Sequence, residues 1–156
     1  MKVIFLDIDG VLNCSQTQDF VFPHVYGIED EKVKLLRSIV DQTGASIVLT
    51  SSWRMTWTKN CPYLADPQAR YMVDKLAKQD LVIMDKVSSC WDRGEGIVTW
   101  LLEHPDVKDW IVIDDDMFPD FKANGIIPHL VRTNFHNGGL LERHVKKAVK
   151  LLNAAG

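Results

Sequence analysis

Short apolar runs alternate along the chain with longer segments whose apolar residues recur every three or four positions. A run without polar alternation, such as Val3–Leu6, is typical of a strand that is buried on both faces. A period of three to four residues, as between Val33 and Val40, is typical of a helix with one buried face. The pattern therefore predicts that strands and helices alternate throughout the chain.

These patterns predict strands at Val3–Leu6, Ser46–Leu49, Leu81–Met84, Trp110–Ile113 and His129–Arg132. They predict helices at Glu29–Thr43, Asp66–Gln79, Arg93–His104 and Leu140–Asn153, with Gly44 as the stop of the first and Asp92 as the N-cap of the third. Between these elements we expect a flap with one hairpin at Asn13–Gly27 and an irregular connection at Met55–Pro67. Because strands joined through helices need crossover connections, the sequence predicts a three-layer α/β fold with a mainly parallel five-stranded sheet and helices on both faces.

Length, charge and cysteine content narrow the class of protein. A length of 156 residues suits one domain over residues 1–156. The net charge of −3 argues against non-specific coating of nucleic acid, although it leaves room for a local basic patch. The cysteines Cys14, Cys61 and Cys90 have no CxxC spacing, so neither a disulfide framework nor a zinc site is indicated. Without a signal-peptide pattern or a membrane-length apolar run, the sequence favours a soluble, cytoplasmic protein.

Polar residues directly follow three of the predicted strands. The three pairs are Asp7 and Asp9, Thr50 and Ser51, and Asp114 and Asp115. The carboxyl ends of parallel strands share one edge of the sheet, which is where ligands bind in open sheets of this kind. Two carboxylates two positions apart on an extended chain point the same way, and they repel unless a cation or a shared proton relieves them. The sequence therefore favours a metal site at this edge over a solvated acidic turn.

Three motifs in the chain resemble those of the haloacid dehalogenase (HAD) superfamily of phosphohydrolases. DIDGVLN resembles the DxDG signature, IVLTSSW the second motif and WIVIDDD the acidic fourth motif. The SSWR variant, the helix that begins at Arg93 and the TNFHNGGL segment are most similar to the HAD domain of Swiss Army Knife RNA repair proteins. The resemblance spans nearly the whole chain, and it implies a Rossmann-like HAD fold with a minimal cap.

The same resemblance implies a phosphoric monoester hydrolase that works through an aspartyl-phosphate intermediate. Asp7 would be the nucleophile, and Asp9 would be the general acid and then the general base. One Mg²⁺ would be bound by Asp7, Asp114 and the main-chain carbonyl of Asp9, with Asp115 in support.

Phosphate binding in such a mechanism needs hydrogen-bond donors and a cation. Thr50, supported by Ser51, would hydrogen-bond a phosphoryl oxygen. Arg93 is the predicted cation because it opens the helix before the fourth strand, where the family's third motif places Lys or Arg. Lys86 is the alternative cation, and a solvated charge at a helix start is the other interpretation of Arg93.

The size of the cap bears on the substrate. Neither Asn13–Gly27 nor Met55–Pro67 is long enough for a separate cap domain, so we expect an open site that admits a bulky phosphomonoester. With the family resemblance, phosphorylated nucleic-acid ends are the favoured substrate, and no membrane partner is expected. Two alternatives stay open, namely a small-molecule phosphatase such as a nucleotidase and a non-catalytic binding module that retains the fold.

Other residues allow two interpretations each. Arg54 could contact substrate phosphate or form a structural ion pair, and Trp53 and Trp57 could stack on a base or pack in the interior. The last helix has a basic face that could be solvated or could contact nucleic acid; its residues are Arg143, Lys146, Lys147 and Lys150.

Overall fold

A computed structural model describes residues 1–61, 66–88 and 90–154. The strands are β1 (Lys2–Leu6), β2 (Phe20–Phe22), β3 (Val25–Tyr26), β4 (Ser46–Leu49), β5 (Ile83–Lys86), β6 (Asp109–Asp114) and β7 (Leu130–Arg132). The α-helices are α1 (Asp30–Thr43), α2 (Pro67–Ala77), α3 (Arg93–Leu102) and α4 (Glu142–Asn153). Short 3₁₀ helices occur at Ser52–Thr56, Ile127–His129 and Phe135–Asn137. Residues 62–65, in the predicted irregular connection Met55–Pro67, lie outside the described residues.

The main sheet has five strands in the order β5-β4-β1-β6-β7. All four neighbouring pairs are parallel, and β1 lies between β4 and β6. The chain moves outward from β1 to β4 and β5, then returns to the other side of β1 for β6 and β7. The direction of winding therefore reverses at β1, and the carboxyl end of β1 is where ligands bind in such sheets.

Alternate residues of β1 enter two different cores. Ile4 and Leu6 pack with the buried faces of α1, α2 and α4. Val3 and Phe5 pack on the opposite face with α3 and with buried side chains of the segment 118–126. This alternation follows from the two-residue period of a strand. The three-layer, mainly parallel α/β architecture is thus confirmed.

The third predicted strand, Leu81–Met84, begins two residues too early, because the strand observed is β5, Ile83–Lys86. Leu81 instead completes the end of α2, where its amide donates to the Leu76 carbonyl after Asp80 with φ of +56°. The side chain of Val82 is 77% exposed. The ladder continues through Asp85 and Lys86, which an edge strand accommodates more readily than a central one.

The third predicted helix begins at Arg93 as expected, but its cap differs from the prediction. Asp92 occupies the N-cap position and makes no side-chain capping bond. The Asp120 carboxylate, from the connection after β6, accepts hydrogen bonds from the amides of Gly94 at 3.0 Å and Glu95 at 2.9 Å. A distant aspartate therefore satisfies the first-turn donors of α3 and fixes the start of this helix.

The predicted hairpin in Asn13–Gly27 is present as the antiparallel pair β2 and β3. Within it, the rings of Phe20 and Tyr26 lie 4.7 Å apart, and Tyr26 meets Phe135 edge to face at 5.3 Å. The flap is thus attached to the loop after β7. Among the described residues, no helix combines the length and apolar character needed to cross a bilayer.

The Asp120 cap predicts a specific loss of stability. Asp120→Ala removes both acceptors of the first turn of α3, so we expect the free energy of unfolding to fall by about 1–2 kcal/mol. Asp92→Ala is the matched control, and it should cost less than half as much because Asp92 makes no side-chain capping bond. Urea denaturation of the two variants measures the difference, and equal losses would contradict the assignment of the cap.

Candidate active site

Polar side chains at the carboxyl ends of three neighbouring strands, β4, β1 and β6, lie at the same edge of the sheet. The Asp7 amide donates to the Ile113 carbonyl of β6, and the Thr50 amide donates to the Leu6 carbonyl of β1. Asp114 is the last residue of β6. The side chains of Asp7, Thr50 and Asp114 are all buried. The structure therefore brings these three predicted site residues to the same edge of the sheet.

Carboxylates form a tight cluster at this edge. One oxygen from each of Asp7, Asp114 and Asp115 lies within 4.8 Å of the others. Burial raises the pKa of Asp7 well above its usual range, and the charge of Asp114 raises it further. Burial likewise raises the pKa of Asp114 to about 6, although the charge of Arg93 opposes this rise. Three oxygen ligands held this close are suited to a hard divalent cation.

Arg93 supplies positive charge to the cluster. Its Nη1 lies 3.0 Å from Asp114 Oδ2 and 3.8 Å from Asp7 Oδ1, and its side chain is only 13% exposed. The guanidinium also lies 4.4 Å from the centre of the Phe118 ring. A guanidinium has five N–H donors, so pairing through Nη1 leaves others for a ligand. The structure thus places Arg93 in the site rather than at a solvated helix start.

Lys86, the alternative cation, has a different place. Its Nζ donates to the main-chain carbonyls of Arg54 at 3.0 Å and Trp57 at 2.6 Å. These bonds tie β5 to the 3₁₀ segment that follows β4. Lys86 therefore holds this connection in place, and of the two cations considered only Arg93 contacts the carboxylate cluster.

Asp9 lies apart from the carboxylate cluster and is solvent-exposed. Its two oxygens accept hydrogen bonds from Asn13 Nδ2 at 2.9 Å and from Trp53 Nε1 at 3.1 Å. Trp53 is itself buried, with 2% of its surface exposed, so it gives Asp9 a rigid donor. The two aspartates of the DIDG motif consequently have unlike surroundings, one buried among charges and one oriented at the surface.

Some of the residues after β4 have polar atoms available for a ligand, and others stabilise the local structure. Among buried side-chain polar atoms of the described residues, Thr50 Oγ1 and Arg54 Nε have no hydrogen-bond partner. Ser51 Oγ accepts the Trp53 amide at 3.2 Å and so caps the 3₁₀ helix. A buried donor without a partner is costly, so the Thr50 hydroxyl is available for a ligand.

The structure bears on the interpretations of Arg54, Trp53 and Trp57, while contact of Arg54 with substrate phosphate stays a prediction. Arg54 donates to the carbonyls of Thr50 and Ser51 at 2.7 and 2.9 Å, and within the described residues it forms no ion pair. Trp53 and Trp57 are buried, so they pack in the interior and present no face for a base. The bond from Trp53 to Asp9 was not predicted, because the two residues are 44 positions apart and nothing in the local pattern links them.

Residues 3–145 match the family model described as the HAD domain in Swiss Army Knife RNA repair proteins. The match covers all three strand ends and Arg93. HAD domains are generally hydrolases, phosphatases among them, and typically use Mg²⁺. No curated protein shows significant sequence similarity to the chain.

The pKa of Asp114 predicts how stability depends on pH in the absence of divalent metal. Its folded-state value of about 6 lies above its ordinary value of 3.8, so ionisation of Asp114 destabilises the fold. This loss is absent below about pH 4 and complete above about pH 7, where it reaches about 3 kcal/mol. Asp114→Asn cannot ionise, so its stability relative to the wild type should rise over this interval.

Urea unfolding of both proteins from pH 4 to pH 8 in EDTA measures this difference. Asp74→Asn, an exposed carboxylate on α2, is the matched control and should follow the wild type. Parallel pH profiles for the wild type and Asp114→Asn would contradict the raised pKa.

Proposed function

The chain belongs to the family of HAD domains found in Swiss Army Knife RNA repair proteins, and on that premise we propose that it is a magnesium-dependent phosphatase. The favoured substrate is a phosphorylated nucleic-acid end or another bulky phosphomonoester. The observation that carries this proposal is the contrast between Asp7, buried beside Arg93 and two further carboxylates, and Asp9, exposed and held by Trp53. Two carboxyl groups with unlike surroundings suit a nucleophile and an acid–base group.

In the first step, an Asp7 carboxylate oxygen attacks phosphorus and the bond from phosphorus to the leaving oxygen breaks. Asp9 gives its proton to that oxygen, so the product leaves as an alcohol. Asp9 then takes a proton from a water molecule that attacks the aspartyl-phosphate, which releases inorganic phosphate and regenerates Asp7. The hydrogen bonds from Asn13 and Trp53 keep Asp9 in one orientation for both proton transfers.

The donor set fits Mg²⁺ in its chemistry, because it consists of hard oxygen ligands. Asp7, Asp114 and the main-chain carbonyl of Asp9 would hold the ion, with Asp115 in support. When bound, Mg²⁺ would supply charge that offsets both the carboxylates and the substrate phosphate. The Thr50 hydroxyl and Arg93 would bind the phosphoryl oxygens, since both have donor capacity left unused.

The open surroundings of the site support a bulky substrate. The flap of residues 13–27 contains only a two-stranded hairpin, and Asp9 is exposed to solvent. A small-molecule phosphatase is the second candidate, since movement of this hairpin could cover a small ester. A panel of phosphorylated oligonucleotides, mononucleotides and sugar phosphates separates the two, and a clear preference for mononucleotides would overturn the nucleic-acid assignment.

Replacement of the proposed nucleophile tests the covalent mechanism. Asp7→Asn should lower kcat on phenyl phosphate with Mg²⁺ by at least about 10³-fold, because the amide cannot form the aspartyl-phosphate. The exposed Asp74→Asn is the control for loss of one negative charge and should retain wild-type activity. EDTA should abolish the wild-type activity and Mg²⁺ should restore it. Substantial turnover by Asp7→Asn would exclude this mechanism.

The role of Trp53 in orienting Asp9 has its own test. Trp53→Phe keeps an aromatic ring but removes the Nε1 donor, so we expect kcat to fall about tenfold on an alkyl phosphate. A nitrophenyl phosphate should be affected much less, because its leaving oxygen needs little protonation. The matched control is Trp57→Phe, another buried tryptophan, which makes no bond to Asp9. Equal losses on both esters would indicate a purely structural role.

A further inference from the structure

A recess of about 660 Å³ opens beside the carboxylate cluster. Its walls come from the end of β6, from β7 with the loop that follows it, and from the first turn of α4. The polar residues that line it are Asp115, Arg132, Thr133, Asn134, His136 and Arg143. We call it the Arg132–Arg143 recess. Of the DIDG, TSSW and DDD segments only Asp115 contributes to its walls, whereas residues 133–136 of the TNFHNGGL segment form most of them.

The two arginines of the recess, Arg132 and Arg143, are exposed and are not held in ion pairs within the described residues. The nearest polar contact of Arg132 is a 3.4 Å approach of Nε to the main-chain oxygen of Asp115. Arg37, in contrast, is paired with Asp41 at 2.6 Å. Two free guanidinium groups at one cavity favour a phosphate, which they can bind in a bidentate manner.

The recess adjoins the reacting centre but is distinct from it. Asp115 lines the recess, and its carboxylate also lies within 4.8 Å of those of Asp7 and Asp114. Neither Asp7 nor Thr50 nor Arg93 lines the recess, so an anion bound by its two arginines would not be the one that Asp7 attacks. A nucleic-acid strand carries such a second phosphate next to its terminal one.

An aromatic row extends from the recess to the flap. Phe135 lines the recess, Tyr26 packs against Phe135, and Phe20 packs against Tyr26. The Phe20 side chain is 56% exposed, so one end of this row has a free face. Bases of single strands stack on exposed aromatic rings without sequence preference. The exposed Phe20 ring therefore offers a base-stacking surface, which Tyr26 and Phe135 connect to the recess.

We propose that the Arg132–Arg143 recess binds the phosphodiester adjoining the terminal phosphate of a single-stranded nucleic acid, with Phe20 stacking on a nearby base. The inference rests on the proposed phosphatase function. It assigns a nucleic-acid strand, rather than a mononucleotide, as the substrate of that site. A phosphorylated trinucleotide has a group for this recess, whereas a mononucleotide or an aryl phosphate has none.

Kinetics with substrates of different length test the assignment. Arg132→Gln and Arg143→Gln should each lower kcat/KM for a terminally phosphorylated trinucleotide about fivefold more than for phenyl phosphate. This fold-change corresponds to the upper end of the free energies that exposed ion pairs contribute. Trinucleotides phosphorylated at the 3′ or the 5′ end are both assayed, and the better one is used. Lys108→Gln is the matched control, because Lys108 is exposed and directly precedes β6, at the edge of the sheet opposite to the site, and should change neither rate. Equal effects on both substrates would overturn the proposal.

A binding measurement separates this inference from the phosphatase function. In the Asp7→Asn background, a fluorescent phosphorylated oligonucleotide is titrated at several salt concentrations. Arg143→Gln should weaken binding and reduce the slope of log K against log salt by about 0.7, the value for one phosphate contact on a single strand. An unchanged slope and affinity would refute the recess as a phosphate site. Failure of the wild type to hydrolyse any ester would refute the phosphatase function, while the binding result would still decide the recess.

Discussion

The constraint on which the site depends is the pairing of β1 with β6, which forces negative charges together. The register sets Leu6 beside Ile113, so the next residues, Asp7 and Asp114, lie side by side at the edge of the sheet. Both carboxyl groups are buried, and burial is the largest cause of their raised pKa values. The protein keeps this unfavourable arrangement because the apolar residues of both strands hold the register through two cores. Negative charge is therefore concentrated at one point of the sheet edge, and a nearby positive charge stabilises it.

Arg93 supplies part of this positive charge. Its own position is fixed by residues that are distant in the sequence. Arg93 is the first residue of α3, whose first-turn amides are held by Asp120 from the connection between β6 and β7. The same connection contributes Phe118, whose ring the guanidinium faces. The segment after β6 therefore positions the cation that faces Asp114, the last residue of that strand. Lys86 and Arg54, by contrast, bind main-chain carbonyls and stabilise the loop after β4.

Strand ends could be predicted from the sequence because each combines a short apolar run with an abrupt polar residue, as at Leu6 and Asp7. The stop of α1 was equally predictable, since Gly44 adopts a positive φ of 73° that suits glycine. Prediction failed where a tertiary contact replaced a local rule. The cap of α3 comes from Asp120 instead of Asp92, and the apolar run at Leu81 is divided between a helix end and β5. The assignment of catalytic roles to Asp7 and Asp9 remains a prediction.

The loop after β1 explains how two aspartates two residues apart acquire different surroundings. Gly10 has a φ of +81°, and a Cβ at this position would overlap the Asp115 carboxylate. The carbonyl of Gly10 accepts the Thr133 hydroxyl at 2.6 Å, while its amide donates to Asn13 Oδ1 at 2.9 Å. The chain therefore turns sharply after Asp9, and Asn13 can bond both Gly10 and the Asp9 carboxylate. Glycine permits the close approach of Asp115, and the turn it allows separates the exposed acid from the buried cluster.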